Sequence, residues 1–287
     1  MIPNFAQFII LLIVSLLCCS IGFKQFVWFM SIGYGLSAAG IGAALLAMAL
    51  VCKDATILYL IQAVLFIIYG FRLGGFLLIR NLKNEKYKSR SKELGLEAKV
   101  PIFVSAFMWI YCGLIYICQS SGPVYRLGNG KQSEVSAFLI VGIIISAIGI
   151  TLEAIADKQK SAAKAKNPNM PAMDGLFKYS RCPNYFGEML FWTGAFVSGL
   201  DIYTGAQWIV AILGYAEISF VMISGAKRLE TRHIKNYGSL QEYNDYADKT
   251  PLLIPFVPLY HMTSPEKIAQ EEAAKAAKAE ARKNKKK

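Results

Sequence analysis

The sequence predicts an all-α integral membrane protein, a bundle of about seven transmembrane helices. Three observations carry this reading. The chain is 55% hydrophobic and only 17% charged, with a mean hydropathy of +0.39. Its apolar residues gather into runs of about 20, the length that crosses a hydrocarbon core as a helix. Lys and Arg concentrate in alternate connections between those runs, the asymmetry left by retention of positive charge on one side of a membrane.

The runs fall at 5–23, 26–51, 55–79, 100–120, 134–156, 187–200 and 205–226. The first has no charged leader and no small-residue cleavage site, so it reads as a span and not as a removed signal peptide. The first two could form one hairpin with a broken helix, which gives six spans. The sixth run is short and reads as a tilted or partly re-entrant segment. Gly33, Gly35, Gly40 and Gly42 lie inside the second run with no strand before them. They therefore form no dinucleotide fingerprint and read as a small-residue surface for close helix packing. Strands are not expected.

Loop charge orients these spans. Arg80, Lys83, Lys86, Lys88, Arg90 and Lys92 follow the third, and Lys158, Lys160, Lys164, Lys166, Lys178 and Arg181 lie between the fifth and sixth. The segment after 226 is also basic. The intervening loops hold only Lys53 with Asp54, Arg126 and Lys131, and Asp201. The basic segments are therefore expected in the cytosol, with the N-terminus outside and the C-terminus inside. The chain divides into N-terminal membrane helices at 1–81, a basic cytosolic loop at 82–99, a second membrane region at 100–260 and a charged cytosolic tail at 261–287.

Composition also narrows the function. Most of the net charge of +12 comes from the tail and the orienting loops. No nucleic-acid motif accompanies it, so nucleic acid is not an expected partner. Six cysteines in or beside spans, or facing the reducing cytosol, read as buried thiols. With only His233 and His261, no metal site is expected. In the tail, Ser264-Pro265-Glu266 starts a solvated helix. The final Lys283-Asn-Lys285-Lys-Lys287 fits a K-x-K-x-x retrieval address, which implies the endoplasmic reticulum.

Ionisable residues inside spans are functional candidates because each is costly unless paired or hydrated. They are Arg72, Arg80, Glu153, Asp157, Glu188 and Glu217. A purely structural reading pairs Arg72 with Glu188 or Glu217 to fix helix register. The densest chemistry lies at 175–188, GLFKYSRCPNYFGE. Pro183 suits a first helical position. Helical spacing puts Asn184 and Glu188 on one face, with Tyr185 one turn after Arg181. A helix start beside an Arg suits a phosphate.

This segment resembles the C-terminal signature of the steroid 5α-reductase family. The resemblance extends to Tyr237-Gly238, Gln241-Glu242-Tyr243 and KTPLLIPFVP at 249–258, to Glu153, Asp157 and Gln159, and to YGFRLGGFLLIRN at 69–81. Cys182 stands where many relatives have His, so no proton role is carried to it. The resemblance implies a membrane-embedded NADPH-dependent reductase that saturates a polarised C=C bond of a lipid. It implies Glu188 as a catalytic residue; the family's carbonyl-polarising pair does not align here, and Tyr69, one helical turn before Arg72, is the tyrosine nominated for that role. The implied cofactor set is Asn184, Arg181, Tyr185, Asp157, Arg72, Arg228, Tyr179 and Tyr243. Two other readings remain open: a methyltransferase resembling the isoprenylcysteine carboxyl methyltransferases, which bind S-adenosylmethionine, and a non-enzymatic lipid-binding membrane protein.

Overall fold

A computed structural model describes residues 4–83, 100–270 and 273–274. Most of the expected basic loop at 82–99 and the terminal lysine signal lie outside the described residues. The helices are α1 (Asn4–Cys19), α2 (Ile32–Cys52), α3 (Ile57–Lys83), α4 (Ile102–Gln119), α5 (Ser121–Gly128), α6 (Ala137–Lys166), α7 (Pro183–Val197), α8 (Ala206–Tyr237) and α9 (Gln241–Lys249). No strand occurs among the described residues.

Six helical segments are long and apolar enough to cross a membrane: Phe5–Phe23, Phe26–Cys52, Ile57–Leu82, Ile102–Gln119, Ala137–Lys166 and Ala206–Tyr237. They coincide with six of the seven expected runs. The remaining run forms α7, only 15 residues long. No residue from 181 to 200 is exposed. Residues of α7 are buried or half-buried, and the helix is shorter than the six long segments. Helices α6 and α8 continue about ten residues past the apolar runs, because Lys, Glu, Gln and Ala keep good helix propensity beyond the hydrophobic stretch.

The chain divides into two compact units. The first comprises Met1–Ile148 and Leu190–Ile218. Its tightest packing is between α2 and α3, through the expected small-residue surface. A Cβ on Gly35 would lie 2.6 Å from the Gly74 nitrogen, and one on Gly70 would lie 2.3 Å from the Ala39 nitrogen. Side chains are excluded there, so the backbones meet directly. Two of the scarce charges of the short connections, Arg126 and Asp201, pair with each other. Fully buried Arg126 donates to the Asp201 carboxylate at 2.6 Å and to the Ser198 carbonyl at 2.8 Å.

The second unit comprises Gly149–Met189 and Ser219–Lys287. Here α6 and α7 touch at Gly187, where a Cβ would lie 2.8 Å from both the Glu153 nitrogen and the Gly149 oxygen. Gly175 adopts a left-handed φ of +65°, which lets the Leu176 N–H reach the Gln159 side-chain oxygen at 2.9 Å. The segment after α9 closes on the start of α7. The Arg181 N–H donates to the Pro251 carbonyl at 2.8 Å, and the Ser180 hydroxyl donates to Leu253 at 2.7 Å. Ser264 caps the expected tail helix by accepting the Lys267 N–H at 3.3 Å.

Candidate functional site

Candidate residues fall in both units. In the first, α2, α3 and α7 bring three polar-tipped aromatics together. The hydroxyls of Tyr34 and Tyr69 lie 2.8 Å apart. The Trp192 indole N–H points at both, donating to Tyr34 and lying 3.3 Å from the Tyr69 oxygen. Tyr69 and Trp192 are almost fully buried, and Tyr34 is 7% exposed. The Tyr69 ring stacks on Phe191 at 3.9 Å between centroids, and Phe66 flanks Trp192. An indole N–H can only donate, so it fills the acceptor side of the phenol oxygens. One phenol O–H donates to the other oxygen, and aromatic rings enclose the pair. Arg72 lies one turn beyond Tyr69 on α3 and is half-buried.

In the second unit, Pro183 occupies the first position of α7, as its missing N–H favours. Asn184 and Glu188 follow on one face. Glu188 is buried, and the Asn184 amide oxygen is buried with no hydrogen-bond partner among the described residues. Leaving such an acceptor unmade is costly in a folded protein, and no donor for this atom is found among the described residues. Asp157 lies one turn after buried Glu153 on α6 and is half-buried.

Cationic side chains surround this helix start. Lys160, Arg181 and Arg232 act on the Cys182 thiol, and Arg228 and Arg232 act on the Tyr185 phenol. The Arg228 guanidinium and the Tyr185 ring both approach Gly225, where a Cβ would meet them at 3.7 and 3.3 Å. Arg228 and Arg232 are exposed. Burial nevertheless dominates at Cys182 and pushes its thiol up to about 12, against the pull of those cations. Cys182 is thus neither an acid nor a nucleophile at neutral pH.

The structure gives Arg181 a firm internal partner. Only 3% exposed, it donates to Glu230 at 3.0 Å and to the Tyr260 carbonyl. Glu230 also accepts the Met262 N–H at 2.9 Å and meets His261, whose other ring nitrogen lies 2.9 Å from Asp248. Tyr243 is buried beside Arg181 and packs against Tyr237 and His233. Tyr179 is 55% exposed, with its ring 6.1 Å from Phe256. Glu217, for which a structural role was expected, accepts a hydrogen bond from Gln119 at 2.6 Å. Tyr34 and Trp192 were not among the sequence candidates, and Glu230 was read only as part of the charged stretch after the last span. Tyr and Trp inside apolar runs were the available signal for the first two, since a buried O–H or N–H needs a partner.

Six long apolar helices, with an amide–carboxylate pair and clustered cations at the start of α7, define a multi-pass helical membrane protein. Residues 24–250 match the DUF1295 family, described as a protein of unknown function, and the chain belongs to that family. The resemblance to the steroid 5α-reductases is also found in a curated relative. Over 83 residues the chain is 34% identical to 3-oxo-5-alpha-steroid 4-dehydrogenase 1 of Macaca fascicularis. That match covers 29% of this chain and 27% of the relative, so it spans about a quarter of the relative's length. No solved structure matches the chain.

Proposed function

We propose that this protein is a membrane-embedded reductase that uses NADPH to saturate a C=C bond conjugated to a carbonyl in a lipid. The observation that carries this reading is the buried, unpartnered Asn184 oxygen one turn before the buried Glu188 carboxylate. Two acceptors on one helical face suit a primary amide, whose NH₂ offers two donors. The Asn184 NH₂ can in turn donate to that amide's oxygen. The nicotinamide carboxamide is such a group, and the nearby cations Lys160, Arg228 and Arg232 suit the phosphates of the same molecule. Tyr185, Tyr179 and Tyr243 offer aromatic faces or hydroxyls to the remaining rings. Arg181, held by Glu230, fixes the loop that carries Tyr179 and the start of α7.

When bound, NADPH supplies a hydride. The residues of the chain do the rest by position. In the first unit, Tyr69 donates a hydrogen bond to the substrate carbonyl as negative charge develops on its oxygen, with Tyr34 and Trp192 holding the phenol. Arg72 adds positive potential one turn away. The apolar rings of Phe66 and Phe191 keep water from competing for that oxygen. A donor aimed at a developing oxyanion in a dry site is among the largest single contributions to catalysis.

The loop charges support a cytosolic C-terminus, and the terminal K-x-K-x-x supports residence in the endoplasmic reticulum. The test is mass spectrometry of small molecules that co-purify with detergent-solubilised protein, followed by direct titration. NADP(H) binding with NADPH oxidation driven by enone lipids is the expected result. S-adenosylmethionine in its place, or no nucleotide, would overturn the reading.

A further inference from the structure

A cavity in the first unit is lined by none of the Tyr34–Tyr69–Trp192 residues. It is a cavity of about 320 Å³ walled by α1, α4, α5 and the start of α8, at the lower end of the range for small-molecule pockets. Phe8 and Leu114 line it and are each 40% exposed on the bundle surface. The wall is mostly hydrocarbon. Its polar groups are Gln7, Tyr125, Asn129 and Gln207, and no charged residue contributes.

These polar groups differ in what they have left to offer. Asn129 and Gln207 bond each other reciprocally, at 3.0 and 2.9 Å, and so are largely spent. Gln7 is 97% buried (3% exposed), and its NH₂ donates to the Val124 carbonyl at 2.8 Å. Its amide oxygen accepts nothing from any described residue. The Tyr125 hydroxyl also makes no hydrogen bond to a described residue; its ring meets Tyr203 edge-on. Gln7 and Tyr125 therefore bring an acceptor and a hydroxyl without protein partners among the described residues to the lining of an otherwise apolar cavity, where a ligand head can meet them.

We propose that this cavity binds a neutral single-chain lipid, with a hydroxyl- or ester-bearing head at Gln7 and Tyr125 and its chain against Phe8 and Leu114. A hydroxyl can donate to Gln7 while an oxygen of the same head accepts from Tyr125. An anionic head would find no cation, and burial of its charge would be costly. The site would operate whether or not the protein is a reductase.

The test uses a 1-monoacylglycerol with a diazirine in its acyl chain and an alkyne handle, in purified full-length protein. Labelling is expected on peptides of α1 and α4. Gln7→Leu and Tyr125→Phe should each weaken apparent affinity roughly five- to ten-fold, as expected for one hydrogen bond of about 1 kcal/mol. Val210→Trp, which fills the wall, should abolish labelling. Tyr69→Phe should leave it unchanged, which separates this site from the proposed reductase chemistry. Unlabelled monoacylglycerol should compete and a fatty acid of equal length should not. Labelling that survives both Tyr125→Phe and Val210→Trp in folded protein, or equal competition by the fatty acid, would overturn the proposal.

Discussion

The hydroxyl oxygens of Tyr34 and Tyr69 lie 2.8 Å apart, from helices α2 and α3 whose backbones touch through glycine. The close approach at Gly35 and Gly70 is what permits this, since each glycine adjoins one of the tyrosines in sequence. Small residues beside the tyrosines thus serve as a positioning device for the phenol pair.

If Tyr69 donates to the substrate carbonyl, Tyr69→Phe should lower kcat for enone reduction by about 10²–10³-fold, the loss typical of an oxyanion donor. Tyr34→Phe acts through Tyr69 and should cost less, with KM little changed. Each substitution removes a buried hydrogen bond and should shift stability by only about 1 kcal/mol. Steady-state NADPH oxidation and thermal melting of both variants check this.

Glu188→Gln keeps size but exchanges an acceptor for a partial donor. Hydride transfer should fall strongly, because small errors in ring position cost orders of magnitude in rate, while phosphate contacts and folding persist. Single-turnover NADPH oxidation alongside NADPH Kd measures the split. Full activity in a folded Glu188→Gln protein would remove the residue from the site.

Arg181 and Arg228 should separate cleanly. Arg181→Ala strands the buried Glu230 carboxylate and should destabilise by roughly 3–5 kcal/mol. Adding Glu230→Gln should recover part of that loss. Arg228 is exposed, so Arg228→Ala should leave the melting temperature within a few degrees and raise the NADPH Kd about ten-fold or more. Chemical denaturation and cofactor titration of the three variants decide between the roles.

Cys182 carries a pH signature. Its folded thiol is held at about 12 by burial, above its usual value of 9.0. Between these values the unfolded chain releases its proton and the folded chain does not, so stability contributed below pH 9 is lost as pH rises toward 12. The limit is about 1.4 kcal/mol per pH unit for one proton. Cys182→Ala should flatten the stability curve between pH 9 and 11. Maleimide should modify Cys182 at pH 8 only after denaturation.

Topology offers an independent check. A reporter fused after Lys287 should face the cytosol, and one fused before Met1 should face the opposite side. Finding both ends on one side would mean that the six long helices are the only crossings and would overturn the expectation of seven spans and the placement of the Arg181 loop.

The helical class, the positions of six long spans, the start of α7 at Pro183 and the glycine packing surface were all legible in the sequence. Each depends on local quantities: run length, periodicity, and the steric rules of Pro and Gly. Partnerships across long separations were not legible. Trp192 reaches Tyr34 over 158 residues, and Arg181 reaches Glu230 over 49. Arg181 read from the sequence as a phosphate ligand beside a helix start, and only packing revealed the carboxylate that occupies it. Likewise a short apolar run could signal a tilted span or a buried helix, since hydropathy scores lipid and protein interior alike. Tertiary structure alone decided that no residue of α7 is exposed, because burial is a property of what surrounds a helix and not of the residues within it.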